Sequence, residues 1–135
     1  MKIFLDTADT KLIDEYFKTG LVDGVTTNPS LILKSGRNPE DVYQEISDIG
    51  VEDISMEVMG TVGEMYNEGY RLGMKFRDVA TIKVPCTRDG LRACKELSDA
   101  GFRVNVTLIF CASQAVLAAK AGATYVSPFV GRLDD

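Results

Sequence analysis

The sequence predicts an α/β protein of the (β/α)8 TIM-barrel type, here with only about six β/α units and so an incomplete barrel. Three observations predict it. Short apolar, β-branched runs alternate with amphipathic segments along the whole chain, the pattern of a parallel sheet covered by helices. Asp6, Asn28, Glu57, Lys83, Thr107 and Ser127 fall at or near the C-terminal ends of six successive strand-like runs. Barrel proteins draw their functional groups from that face, several strands at a time. The 135 residues carry no internal repeat or linker, so a single domain over residues 1–135 is expected. An open doubly wound sheet has the same alternation, but it gathers ligand groups mainly at one switch point.

Ile3–Asp6 reads as the first strand. Thr10–Lys18 reads as a helix with Leu12, Ile13, Tyr16 and Phe17 on one face, stopped by Gly20. Asp23–Asn28 is the second strand, and Pro29 opens a helical turn. Asn38-Pro39 starts the next helix, with Val42, Ile46 and Ile49 inward and Gly50 closing it. Ile54–Met59 is the third strand, followed by a helix over about Gly63–Phe76. Ala80–Pro85 is the fourth strand. Thr87 caps a helix over Arg88–Ala100 that Gly101 ends. Arg103–Phe110 is the fifth strand, Ala112–Ala121 a small-residue helix ended by Gly122, and Thr124–Phe129 the sixth strand. A whole barrel needs eight strands and typically over about 200 residues, so the chain reads as about three-quarters of one. The missing strands leave two sheet edges and an uncovered interior, which predicts association into a homo-oligomer.

The fourth strand holds the most informative residue. Lys83 stands in the apolar run Ala80-Thr81-Ile82-Lys83-Val84, and lysine is among the residues least often buried without a partner. The commoner explanation is a structural lysine that is ion-paired or reaches solvent. The chemical one is a nucleophile, because an amine taken out of water is available in its neutral form for Schiff-base chemistry.

Composition narrows the choice. Net charge is −5, with no lysine or arginine cluster, so a nucleic-acid or anionic-membrane surface is not expected. A local anion site remains open, since one arginine and a few backbone N–H groups suffice for a phosphate. No apolar stretch approaches a membrane span, and the amino terminus has no signal-like segment, so a cytoplasmic location is expected. There is no histidine, which removes the commonest general base and metal ligand. Cys86, Cys94 and Cys111 show no metal or disulfide spacing and are expected as reduced thiols, Cys86 and Cys111 in packing roles. Acid–base chemistry falls to Asp, Glu, Lys or Tyr, or to a water they hold.

Several segments together resemble a known family. Phe4-Leu5-Asp6-Thr7-Ala8, Gly24-Val25-Thr26-Thr27-Asn28-Pro29-Ser30-Leu31, Ile82-Lys83-Val84-Pro85, Asn105-Val106-Thr107 and the run Ala121–Asp135 resemble transaldolases. They are most similar to the short subfamily that also contains fructose-6-phosphate aldolase, and the resemblance runs from end to end. It implies a (β/α)8 barrel and a class I aldolase mechanism through a lysine Schiff base, with no metal and no cofactor. By the same resemblance, Lys83 is the Schiff-base lysine and Asp6 the acid/base at the sugar hydroxyl that loses its proton on cleavage. Glu57 is the carboxylate working through a bound water, and Thr107 the hydroxyl that holds this water. Asn28, Asn105 and Ser127 are implied substrate contacts, and Arg132 a phosphate ligand.

Two positions divide the subfamily. This chain resembles transaldolases in having Glu57 and Phe129, where the fructose-6-phosphate aldolases tend to carry Gln and Tyr. The resemblance therefore implies transfer of a dihydroxyacetone unit between sugar phosphates, within the pentose phosphate pathway. The alternatives are aldolase-type release of free dihydroxyacetone, or a catalytically poor barrel fragment lacking the last two strands and the C-terminal helix of longer relatives.

Overall fold

The computed structural model describes residues 1–130. These fall into two compact units: Met1–Glu57 with Phe76–Ala80, and Val58–Lys75 with the chain from Thr81 onward. Strands and helices alternate through both, as the (β/α) barrel type requires.

The first unit holds β1 (Phe4–Asp6), α1 (Thr10–Phe17), β2 (Gly24–Thr26), α2 (Pro29–Ser35), α3 (Pro39–Ile49) and β3 (Ile54–Glu57). The three strands are parallel in the order β1-β2-β3. Local sequence sets the helix boundaries. Asn28 and Asn38 are N-caps whose side chains accept from Leu31 and Glu40 N–H groups, each followed by proline at the first helical position. Gly36 and Gly50 close the same helices in the left-handed region. Gly50 has a second reason to be glycine, because the Phe17 ring lies where a Cβ would point. Ile13, Val25, Val42, Ile46, Ile54 and Met56 are fully buried.

Some expectations are corrected here. Of the apolar stripe on α1 only Ile13 is buried, while Leu12 and Tyr16 are exposed; the helix packs on α3, and its apolar stripe is wider than that contact. Ile49 is half-buried, and Tyr43 takes an inward place in α3, edge-on to Phe76 at 5.9 Å. Strand β2 is shorter than predicted. The Thr27 hydroxyl donates to the Ser55 carbonyl, and Asn28 turns its side chain to the next helix.

The second unit holds α4 (Val62–Phe76, reaching its border), β4 (Ala80–Pro85), α5 (Arg88–Asp99), β5 (Arg103–Ile109), α6 (Ala112–Lys120) and β6 (Tyr125–Pro128). Strands β4-β5-β6 are parallel in that order. Helix α4 packs closely through glycines: a Cβ at Gly69 would press on Ile82 and Leu97, and one at Gly73 would overlap the Phe102 ring. Tyr70 meets the same ring edge-on at 5.3 Å. Thr87 caps α5 by accepting from Gly90 N–H at 2.9 Å. Met59 and Phe110 lie outside the strands predicted for them and are exposed. No helix among the described residues is long and apolar enough to cross a membrane.

Candidate active site

Register decides which side chains share a face, since directly paired strand residues point the same way and so do residues two apart. In the first unit Asp6 pairs with Thr26 and Thr26 with Ser55. Asp6, Thr26, Ser55 and then Glu57 therefore lie on one face. Asp6 ends β1 and is exposed, Glu57 ends β3 and is half-buried. The Thr26 hydroxyl donates to Asp6 Oδ1 at 2.9 Å. Asn28 lies two residues past the end of β2. Its Oδ1 is committed to the helix cap, which leaves its NH2 group for a ligand.

In the second unit Lys83 pairs with Asn105, Pro85 with Thr107, and Asn105 with Tyr125. Lys83, Asn105, Thr107 and Ser127 thus share one face. All of β4 is buried, and Lys83 is only 6% exposed. Its carbonyl accepts from Val58 N–H at 2.9 Å. The Ser127 hydroxyl donates to Asn105 Oδ1 at 2.8 Å. Thr107 is 2% exposed, and among the described residues its hydroxyl oxygen has no hydrogen-bond partner. Leaving such a group unsatisfied costs about 1–3 kcal/mol.

Strand β5 carries an irregularity that period-two patterning misses. Between the pairs Val106–Val126 and Ile109–Pro128, β5 has one residue more than β6. Leu108 has φ +61°, the left-handed region that costs a residue with a Cβ about 1–2 kcal/mol. Bulges of this kind re-aim side chains beside functional sites. Phe129 donates its N–H to the Ile109 carbonyl at 2.9 Å, and its ring meets Phe110 at 5.5 Å. Arg132 lies outside the described residues.

The cysteines differ from the expected packing role in one case. Cys94 is buried, and desolvation raises its thiol pKa to about 11. Half-buried Cys86 is also raised, by desolvation and then by the nearby Cys111. Cys111 instead is exposed, and the hydrogen bond with Ser113 Oγ at 3.1 Å, followed by that to the Gln114 backbone, lowers its pKa. It begins α6, a solvent-facing position that its apolar neighbours in sequence do not reveal.

A cavity of about 450 Å³ in the first unit is lined by residues including Thr7, Asp9, Lys11, Lys34 and Arg37. None of the candidate residues lines it.

Comparison with known proteins identifies relatives over the whole chain. A family model described as Transaldolase/Fructose-6-phosphate aldolase matches residues 3–135. A probable transaldolase of Paracoccus denitrificans (strain Pd 1222) is 59% identical over 136 aligned positions, spanning all of this chain and 62% of that protein. One from Nitrosopumilus maritimus (strain SCM1) is 54% identical, spanning all of this chain and 61% of the relative. The chain therefore covers less than two-thirds of the length of these curated relatives. Among solved structures, the carboxyl transferase domain of Rhizobium etli pyruvate carboxylase with 3-bromopyruvate superposes with a TM-score of 0.60 at 13% identity, over 93% of this chain and 26% of that one. At that identity the likeness speaks for the fold alone.

Proposed function

The chain belongs to the transaldolase/fructose-6-phosphate aldolase family, and from that premise we propose that it works as a class I Schiff-base transaldolase, moving a dihydroxyacetone unit between sugar phosphates. The observation that carries the reading is Lys83. It is a buried amine on the same strand face as Asn105, Ser127 and the Thr107 hydroxyl, which is unpartnered among the described residues.

In this reading the Lys83 amine attacks the ketose carbonyl to form a carbinolamine. Loss of water gives an iminium, with Glu57 moving protons through a water held by Thr107. Asp6 accepts the proton of the C4 hydroxyl as the C3–C4 bond breaks, and the electron pair is taken up as an enamine on Lys83. The aldose phosphate leaves, an acceptor aldose enters, and the steps run in reverse. Two carboxylates let protons move without histidine. Asn28, Asn105 and Ser127 orient the hydroxyl groups, and Arg132 binds the phosphate with its fork.

Glu57 and Phe129 favour transfer over aldolase-type release of free dihydroxyacetone, because a phenyl ring has no hydroxyl with which to protonate the intermediate. We further infer a cytoplasmic homo-oligomer, since Val116 and Leu117 on α6 and Val126 on β6 expose apolar surface that association would cover.

Borohydride added with dihydroxyacetone or fructose 6-phosphate tests the reading. The expected product is a covalent mass adduct at Lys83, absent in Lys83→Met. A folded sample that forms no adduct would overturn the enzymatic reading. An adduct without transfer to an acceptor aldose would instead identify a fragment that binds donor but does not turn over.

A further inference from the structure

We propose that Thr26 is a positioning residue for Asp6, holding its carboxylate in the one orientation that serves C–C cleavage. The proposal rests on the Schiff-base reading above and goes beyond it, because nothing in that mechanism requires Thr26.

The two residues are direct partners in the parallel ladder between β1 and β2, so their side chains leave the sheet on the same face. The Thr26 hydroxyl donates to Asp6 Oδ1 at 2.9 Å. The backbone reinforces the pair, since Thr7 N–H donates to the Thr26 carbonyl at 3.2 Å. Asp6 is exposed at the end of its strand, where an aspartate would otherwise sample several rotamers. Among the described residues Oδ2 has no partner, so one oxygen is held and the other is left for substrate.

Threonine suits the task better than a longer polar side chain. It is β-branched and stiff at χ1, so its hydroxyl has few places to be. A hydroxyl also donates to a carboxylate and accepts from a carboxylic acid. The hydrogen bond therefore survives proton transfer to and from Asp6. The neighbouring Thr27, identical in type, is fully buried and spends its hydroxyl on the Ser55 carbonyl. It serves the sheet, while Thr26 serves the site face.

The test compares Thr26→Val, which keeps the shape and removes the hydroxyl, with Thr26→Ser, which keeps the hydroxyl. In the full chain, borohydride trapping of dihydroxyacetone at Lys83 should be unchanged in Thr26→Val, because imine formation does not use Asp6. Cleavage of fructose 6-phosphate should fall about tenfold or more in kcat, part of the roughly 10²–10⁴-fold that acid–base catalysis supplies, with KM little changed. Thr26→Ser should recover most of the loss. In an Asp6→Asn background Thr26→Val should have no further effect. Wild-type cleavage by Thr26→Val, or an equal loss in the Asp6→Asn background, would overturn the proposal. If the folded wild-type chain forms no adduct, the Schiff-base reading fails on its own. The Asp6 rotamer then decides for Thr26, read from side-chain NMR couplings without turnover. A single rotamer in the wild type that becomes averaged in Thr26→Val is expected, and an unchanged rotamer would overturn the positioning role.

Discussion

Gly90, in the first turn of α5, lies directly against the carbonyl oxygen of Pro85, the last residue of β4. A Cβ on Gly90 would overlap that oxygen, so the turn between the lysine strand and its helix closes only around glycine. Gly90 N–H is at the same time the donor to the Thr87 cap. Close approach of backbone to backbone, and not an unusual φ, is what excludes a side chain here.

Gly90→Ala should therefore destabilise the protein, although alanine is the better helix former by about 1 kcal/mol. The overlap forces Pro85 or the start of α5 to shift, at a cost of about 1–3 kcal/mol for an overpacked site. Urea unfolding measures it. Because Pro85 pairs with Thr107 and Lys83 lies two residues earlier, adduct formation at Lys83 should slow in the same variant. A Gly90→Ala chain as stable as the wild type would mean that the turn yields easily.

Thr107→Val should separate stability from chemistry. Valine has the same shape and removes a buried hydroxyl that is unpartnered among the described residues. The unfolding free energy should rise by about 1 kcal/mol, while the rate of borohydride-trappable imine formation falls. A loss of stability in Thr107→Val would show that the hydroxyl serves the fold and not a bound water.

The thiols should react in a fixed order. Cys111, exposed and with its pKa lowered by Ser113, holds more thiolate at any given pH and should be alkylated first, with a midpoint below that of an ordinary thiol. Cys86 should follow, and Cys94 should react only on unfolding. Burial raises the Cys94 thiol from 9.0 to about 11, so the fold prefers it protonated. Its contribution to stability is whole below pH 9.0 and is lost as pH rises toward about 11. Cys94→Ala should flatten that alkaline decline in a pH series of denaturant melts. Rapid labelling of Cys94 in the folded chain would contradict its burial.

Much of this architecture was legible in the residues. Capping pairs such as Asn38-Pro39, the stop at Gly50, and the apolar run around Lys83 are local signals, and local signals survive folding. What depends on partners was not legible. Leu12 and Tyr16 share a helical stripe with Ile13, but only the contact with α3 determines how much of the stripe is covered. Thr26 and Thr27 are indistinguishable in sequence; the pairing of Asp6 with Thr26 separates them. Cys111 follows an apolar strand and looks like a core residue until α6 begins beneath it.

The extra residue in β5 has a consequence for phase. Val126 and Pro128 are two apart and share a face, so their partners Val106 and Ile109 share one as well, although these are three apart. The strand slips by half a pleat at Leu108. Upstream of the slip the odd-numbered positions Asn105 and Thr107 present polar atoms beside Lys83. Downstream of it, the odd-numbered Ile109 is turned to the opposite, apolar layer, where it is buried. A regular strand of the same length, without the slip, would keep every local propensity and yet exchange the two layers from there on, setting Ile109 on the face of Asn105 and Thr107. The left-handed leucine is thus where the strand changes allegiance between solvent chemistry and core.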